Sequence, residues 1–204
     1  MSKIIGHRGF WDGDTLAQNT VEASLSAFSK GFGIELDIRA SEDGTLGTGH
    51  DCWQIFEWGE VMSFPDRGFI AFHVKEKGLA TKLYDITKQS NYLEYLIFGI
   101  PEEEMYLYMS LFGKEHVAFE YNAGDDFEKV FNCINENIWL SELGRNKIDK
   151  KELIILKSQG KKLYLVMPDA IKGDMILEGV RIMNFKDGLF EGICTDLPHI
   201  INNY

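Results

Sequence analysis

Four short stretches of this chain carry residue types able to do acid-base or phosphate chemistry. Gly6-His7-Arg8-Gly9 sets an imidazole beside a guanidinium between two glycines. That pairing suits proton transfer next to a bound anionic oxygen. Glu35-Leu36-Asp37 places two carboxylates at i and i+2 within an apolar run. On a strand both point to one face while Leu36 points to the other. Carboxylates that converge repel each other and need a compensating charge; as hard oxygen donors they suit Mg²⁺ or Ca²⁺. In Phe72-His73-Val74-Lys75, His73 and Lys75 share a face by the same period of two. An imidazole can ligate a metal, and a lysine can hold a phosphate oxygen. His50-Asp51 follows the turn residues Glu42-Asp43-Gly44-Thr45, and such a pair carries little weight alone. Plainer readings exist for the first two stretches: a structural histidine in a turn, and a surface pair of acids on a strand edge. The apolar residues Ile34, Leu36 and Ile38 count against the second.

The elements that must position these residues alternate regularly. Candidate strands are Lys3–Gly6, Gly33–Ile38, Phe69–Val74, Tyr92–Ile97, His116–Glu120, Asn137–Leu140, Lys162–Val166 and Gly192–Thr195. Candidate helices lie between them. Asn19–Lys30 repeats Val21, Leu25 and Phe28 at helical spacing before Gly31, a stop signal. Asp125–Asn135 aligns Phe127, Val130, Phe131 and Ile134, and Asp149–Ser158 and Ile171–Met183 read similarly. Eight short strands alternating with helices predict a parallel sheet with crossover connections. An open doubly wound sheet fits that pattern as well as a barrel does. The connection after Asp51 (Cys52-Trp53-Gln54-Ile55-Phe56) is the least helix-like.

With 204 residues, 45% hydrophobic and 26% charged, the chain reads as a single globular domain spanning residues 1–204. Its formal net charge of −11 argues against nucleic acid and anionic lipid surfaces as partners. A small phosphate ester is compatible with it, because a bound cation makes a local site electropositive. Cys52, Cys133 and Cys194 are too few and too scattered for a disulfide framework or a structural zinc site. No apolar stretch is long enough to span a membrane, and Met1-Ser2-Lys3 leads directly into Ile4-Ile5-Gly6 without a signal-peptide core. A cytoplasmic location is the expectation.

Taken in order, Gly6-His7-Arg8-Gly9, Gln18-Asn19-Thr20, Glu35-x-Asp37-x-Arg39, Asp43-Gly44 and His50-Asp51 resemble the glycerophosphodiester phosphodiesterase family. The likeness is strongest over residues 4–51. It returns near the C-terminus, where Gly192-Ile193-Cys194-Thr195-Asp196-Leu197-Pro198 is similar to the family's last strand and its exit. The resemblance implies a (β/α)8 TIM-type barrel, here compact, with some helices short or missing. It also implies a divalent cation, Mg²⁺ or Ca²⁺ with Mn²⁺ as an option, at the carboxyl end of the strands. By the same resemblance His7 and His50 are general acid and base. Glu35 and Asp37 hold the metal, and Arg8 and Lys75 contact the phosphate of a small phosphodiester substrate from lipid metabolism.

The chain departs from the family pattern in three places. Gln18 stands where a Glu is usual, keeping hydrogen-bonding capacity without the charge. His73-Val74-Lys75 replaces a Glu-x-Lys motif, so the third metal ligand is either His73 or Glu120, which closes the fifth candidate strand. Imidazole in that place should lower affinity for Mg²⁺ or Ca²⁺. The segment between His50 and His73 is short, so the loops over the substrate must differ. Two other functions fit the same residues: a non-catalytic barrel that binds a phosphorylated metabolite or headgroup, and a phospholipase C-like phosphodiesterase. Among the remaining candidates, Trp53, Trp139 and His116 read as structural, His199 as a surface residue, and Glu102-Glu103-Glu104 as a helix first turn.

Overall fold

The structure is a computed structural model and describes residues 3–89, 94–141, 148–167 and 188–202. Strands β1 (Lys3–Gly6), β2 (Gly33–Ala40), β4 (Ile70–Val74), β5 (Tyr95–Phe98), β6 (Ala118–Asn122), β7 (Asn137–Ser141), β8 (Lys162–Val166) and β9 (Gly192–Thr195) alternate with helices. These are α1 (Val21–Ser29), α2 (Trp58–Ser63), α3 (Ala80–Gln89), α4 (Met105–Phe112), α5 (Phe127–Asn132) and α6 (Lys150–Ser158), with a last turn α7 (Pro198–Asn202). The eight strands pair in the order β5-β4-β2-β1-β9-β8-β7-β6, every pair parallel. A bridge between Ile97 and Val117 joins the two ends of that row. The result is a nearly closed (β/α)8 barrel, and the open doubly wound alternative is set aside by that bridge.

All of these strands except β5 lie within two residues of the expected bounds at each end, because each is an apolar run cut off by turn chemistry. The strand β6 starts at Ala118 after a 3-10 turn that takes in His116. The strand β5 begins at Tyr95 against the expected Tyr92, and residues 92–93 lie outside the described residues. Helix starts are set by caps: Thr20, Asp126 and Asp149 each accept a backbone N–H of the first turn. Such caps contribute about 1 kcal/mol apiece. The predicted helix Ile171–Met183 lies outside the described residues. Between β2 and β4 the chain does not run directly into a helix. It first forms β3 (Leu46–Thr48), antiparallel to β2, and then the six-residue α2. The turn that makes this hairpin is Ser41–Thr45, where Gly44 has φ of 84° and donates to Ser41 O at 2.8 Å. Glu102–Glu104 form a 3-10 turn leading into α4, as their position after Pro101 suggests.

Two sides of each strand are used. Ile34, Leu36 and Ile38 of β2 pack outward against α1, α2 and α3, in a cluster with Phe28, Val61 and Leu83. The inward residues fill the barrel: Ile5, Phe69, Ala71, Leu96, Phe98, Ala118, Trp139, Tyr164 and Cys194. Phe98 stacks on Trp139 at 4.0 Å, and Trp139 lies wholly buried below the barrel mouth. Among the described residues the interior is therefore a packed core. His116 stacks on Tyr95 at 4.1 Å, a structural role. His199 differs from the surface reading: it is half-buried with its ring edge-on to Phe10, because α7 folds back beside β1.

Candidate active site

The candidate residues on the first strands meet at the carboxyl end of the barrel. His7 and Arg8 follow β1 directly, in a turn that depends on its glycines. A Cβ on Gly6 would lie 2.6 Å from Gly9 O, and one on Gly9 would lie 2.8 Å from Ala23 Cβ. Arg8 and Asn19 both adopt left-handed backbone, with φ of 59° and 61°. A non-glycine residue there is strained, and hydrogen bonds hold both in place. Arg8 N donates to Glu35 Oε2 at 3.1 Å, and Asn19 N donates to Arg8 O at 3.0 Å.

Glu35 and Asp37 are 2% and 1% exposed, so their charges are nearly withdrawn from water. Burial of that kind is tolerated only when each oxygen finds partners. Asp37 Oδ2 accepts Asn19 Nδ2 at 3.0 Å and lies 3.1 Å from Arg8 Nε. Asp37 Oδ1 faces His73 Nδ1 at 3.1 Å and Lys75 Nζ at 3.6 Å. Glu35 Oε1 stands 3.5 Å from His73 Nδ1, and its other oxygen stands 3.9 Å from His7 Nε2. Burial works against the charged form of Asp37, but the His73 hydrogen bond and charge, with Arg8 and Asn19, hold its carboxyl far below the usual range. Burial likewise works against the charged form of His73, and the two carboxylates overcome it, raising its pKa to about 9. His73, Arg8 and Lys75 together bring positive charge beside the two carboxylates.

Glu35, Asp37 and His73 also satisfy the spacing of a metal site, their ligand atoms all lying within 4.8 Å of one another. The 3.1 and 3.5 Å separations from His73 Nδ1 fit neighbouring donors around one ion, since bonds of about 2.1 Å put such donors roughly 3.0–3.4 Å apart. The residues present therefore fit a divalent cation. Glu120, the other candidate third ligand, is two strands away from β4. It pairs in register with Trp139, so it faces the barrel, and its Oε1 accepts Ser141 Oγ at 3.4 Å.

His50 is placed differently from the rest. Its ring is 43% exposed, on the loop after β3, with Nδ1 2.7 Å from Asp51 Oδ1. The loop is anchored from below by Arg39, whose guanidinium donates to the carbonyls of Gly49 and His50 at 2.7–3.1 Å. Glu76 balances that charge at 3.3 Å.

Three supporting residues carried little signal of their own in the sequence. Asp196, just past β9, has Oδ1 2.7 Å from His7 Nδ1. Asn19 grips Asp37 at both ends, as Asp37 N donates to Asn19 Oδ1 at 2.9 Å. Gln18 Oε1 accepts Arg8 Nη1 at 2.9 Å, so the amide keeps a supporting role in spite of the lost charge. The Asn19 and Gln18 contacts were signalled only by their place in a motif. Asp196 was signalled only by the Thr-Asp-x-Pro exit.

A (β/α)8 barrel with an acid, imidazole and guanidinium cluster at its carboxyl end is the class that these features define. Solved glycerophosphodiester phosphodiesterases share the fold. That of Agrobacterium tumefaciens superposes with a TM-score of 0.69 at 16% identity over 100% of both chains. A phosphodiesterase of Oleispira antarctica, bound to the product sn-glycerol-3-phosphate, gives 0.70 at 15% identity, covering 100% of this chain and 96% of the other. The tryptophan synthase α-subunit of Pyrococcus furiosus also matches, at 0.57 and 14% identity over 98% and 90% of the two chains. No family model matches the sequence, and no curated protein matches it either. At these identities the likeness establishes the barrel, and function has to be argued from the site.

Proposed function

We propose that this chain is a phosphoric diester hydrolase that cleaves a glycerophosphodiester or a related small phosphodiester with the help of a divalent cation. The observation that carries the reading is the convergence of Glu35, Asp37 and His73 with His7, Arg8 and Lys75 at one barrel mouth. The motif order shared with the phosphodiesterase family supports it, as does the shared fold.

Glu35, Asp37 and His73 would hold the cation, which would offset negative charge on a phosphate oxygen in the transition state. Arg8 and Lys75 bring two further positive charges to the same place and orient the anion. His7 is suited to be the acid. Burial pulls its pKa down, but the Asp196 hydrogen bond and the charges of Glu35 and Asp196 more than restore it, so the pKa is raised. Asp196 accepts the hydrogen bond from Nδ1–H and favours the imidazolium, so that Nε2 can hand its proton to the departing alkoxide. His50, oriented by Asp51, is the base for the attacking oxygen, either water or a neighbouring hydroxyl of the substrate.

The test is turnover of glycerophosphodiesters and of a chromogenic phosphodiester, with Mg²⁺, Ca²⁺ or Mn²⁺ added. His7→Ala and His50→Ala should each lower kcat at least about 100-fold. Unchanged turnover in both variants would reject the assignment. Gln18 and His73, where the family has acids, favour a second reading as a non-catalytic binder of phosphorylated metabolites. Glycerol phosphate bound by a protein that turns over no diester with any of these ions would select it.

A further inference from the structure

The chemical hardness of the donors sets which cation a site prefers, and here one of the three is an imidazole. We propose that the Glu35–Asp37–His73 site selects a first-row transition ion, Co²⁺ or more weakly Mn²⁺, over Mg²⁺ and Ca²⁺. The proposal rests on the reading of these residues as a metal site. It departs from the hard-ion preference that the paired carboxylates by themselves suggest.

His73 is no bystander to the two acids, because its Nδ1 is the atom that faces them, at 3.1 and 3.5 Å. The ring is also gripped. One face stacks on Phe98 with centroids 4.4 Å apart. Gly99 closes on its edge, where a Cβ would lie 2.4 Å from His73 Cδ2. A ring so confined keeps its nitrogen directed at the carboxylates and does not swing away to admit another oxygen.

Nearby carboxylates that could restore an all-oxygen set are committed elsewhere among the described residues. Asp196 Oδ1 holds His7, and Glu76 accepts from Ala40 N and pairs with Arg39. Glu120 is two strands distant and accepts from Ser141. Mg²⁺ and Ca²⁺ prefer oxygen throughout, whereas imidazole with carboxylate suits the first transition row. Arg8 and Lys75 both draw on Asp37, lowering its pull on any cation, so the nitrogen donor weighs more in the balance.

The experiment measures binding to chelator-stripped protein without substrate. Free aqueous Mn²⁺ is followed by electron paramagnetic resonance, with Mg²⁺ and Ca²⁺ as competitors, and Co²⁺ by its visible absorption. The wild type should bind Mn²⁺ at least about tenfold more tightly than Mg²⁺ or Ca²⁺. His73→Glu should remove most of that preference. His73→Gln should weaken Mn²⁺ binding about tenfold while Mg²⁺ binding changes less. Broadening of the His73 ring resonances by sub-stoichiometric Mn²⁺ gives a readout on the wild type that survives any misfolding of the variants. Equal affinities, a preference retained in His73→Glu, or no divalent binding at all would overturn the proposal. Turnover is not part of this readout. A protein that prefers Mn²⁺ yet cleaves no phosphodiester would sink the proposed reaction and leave the selectivity standing.

Discussion

His7 Nδ1 and Asp196 Oδ1 lie 2.7 Å apart although 189 positions separate them in the chain, because the first and last strands of the barrel are neighbours. The contact fixes the imidazole tautomer and directs Nε2 toward Glu35, 3.9 Å away.

Removing the charge of Asp196 should therefore act on His7. In Asp196→Asn the burial that disfavours the imidazolium is opposed by less, so the His7 pKa should fall from its raised value toward or below about 6.5. Histidine ring resonances followed through a pH titration measure it. Turnover should drop roughly 100-fold, as for a lost orienting carboxylate. An unmoved His7 titration would show that the 2.7 Å contact does not govern the proton.

Asp37 neutralises Arg8, Lys75 and His73 in a space almost closed to water. Asp37→Ala takes this carboxylate from Arg8 and Lys75 and leaves His73 with Glu35 alone, and should cost about 3–5 kcal/mol in chemical denaturation. Asp37→Asn keeps the shape and should cost less, while still abolishing Mn²⁺ binding. Comparison of the two separates the structural load on this carboxylate from its role as a ligand.

Arg39 touches none of the clustered site groups, yet it holds the His50 loop by two backbone carbonyls. Arg39→Gln should lower kcat about tenfold with a smaller change in KM, because it displaces the proposed base and not the phosphate-binding cations. Arg39→Lys should recover only part of the loss, since one ammonium cannot reproduce the guanidinium fork. An equal loss in KM alone would reject the positioning role.

Gly99 has φ of 70°, and any side chain there meets His73 and the carbonyl of Val74, 2.4 and 3.0 Å from the added carbon. Gly99→Ala should cost about 1–3 kcal/mol. It should also weaken Mn²⁺ binding by displacing the ring. Denaturation midpoints and Mn²⁺ titrations on one preparation report both effects.

The sequence alone was enough to bring forward the eight barrel strands, though not the short β3, and the pairing of acids on one face of β2, because period-two alternation and turn residues are local properties of a chain. It was also enough to bring His7, Arg8, Glu35, Asp37, His73 and Lys75 forward, since strand ends in α/β folds carry the chemistry. What tertiary structure decided is everything that depends on which strands become neighbours. Closure of β5 on β6 separates a barrel from an open sheet. The adjacency of β2 and β4 sets Asp37 in register with His73, and this places an imidazole beside the two carboxylates. The adjacency of β1 and β9 brings Asp196 to His7. Those contacts span long stretches of chain, where no local pattern of hydrophobicity or turn chemistry can register them.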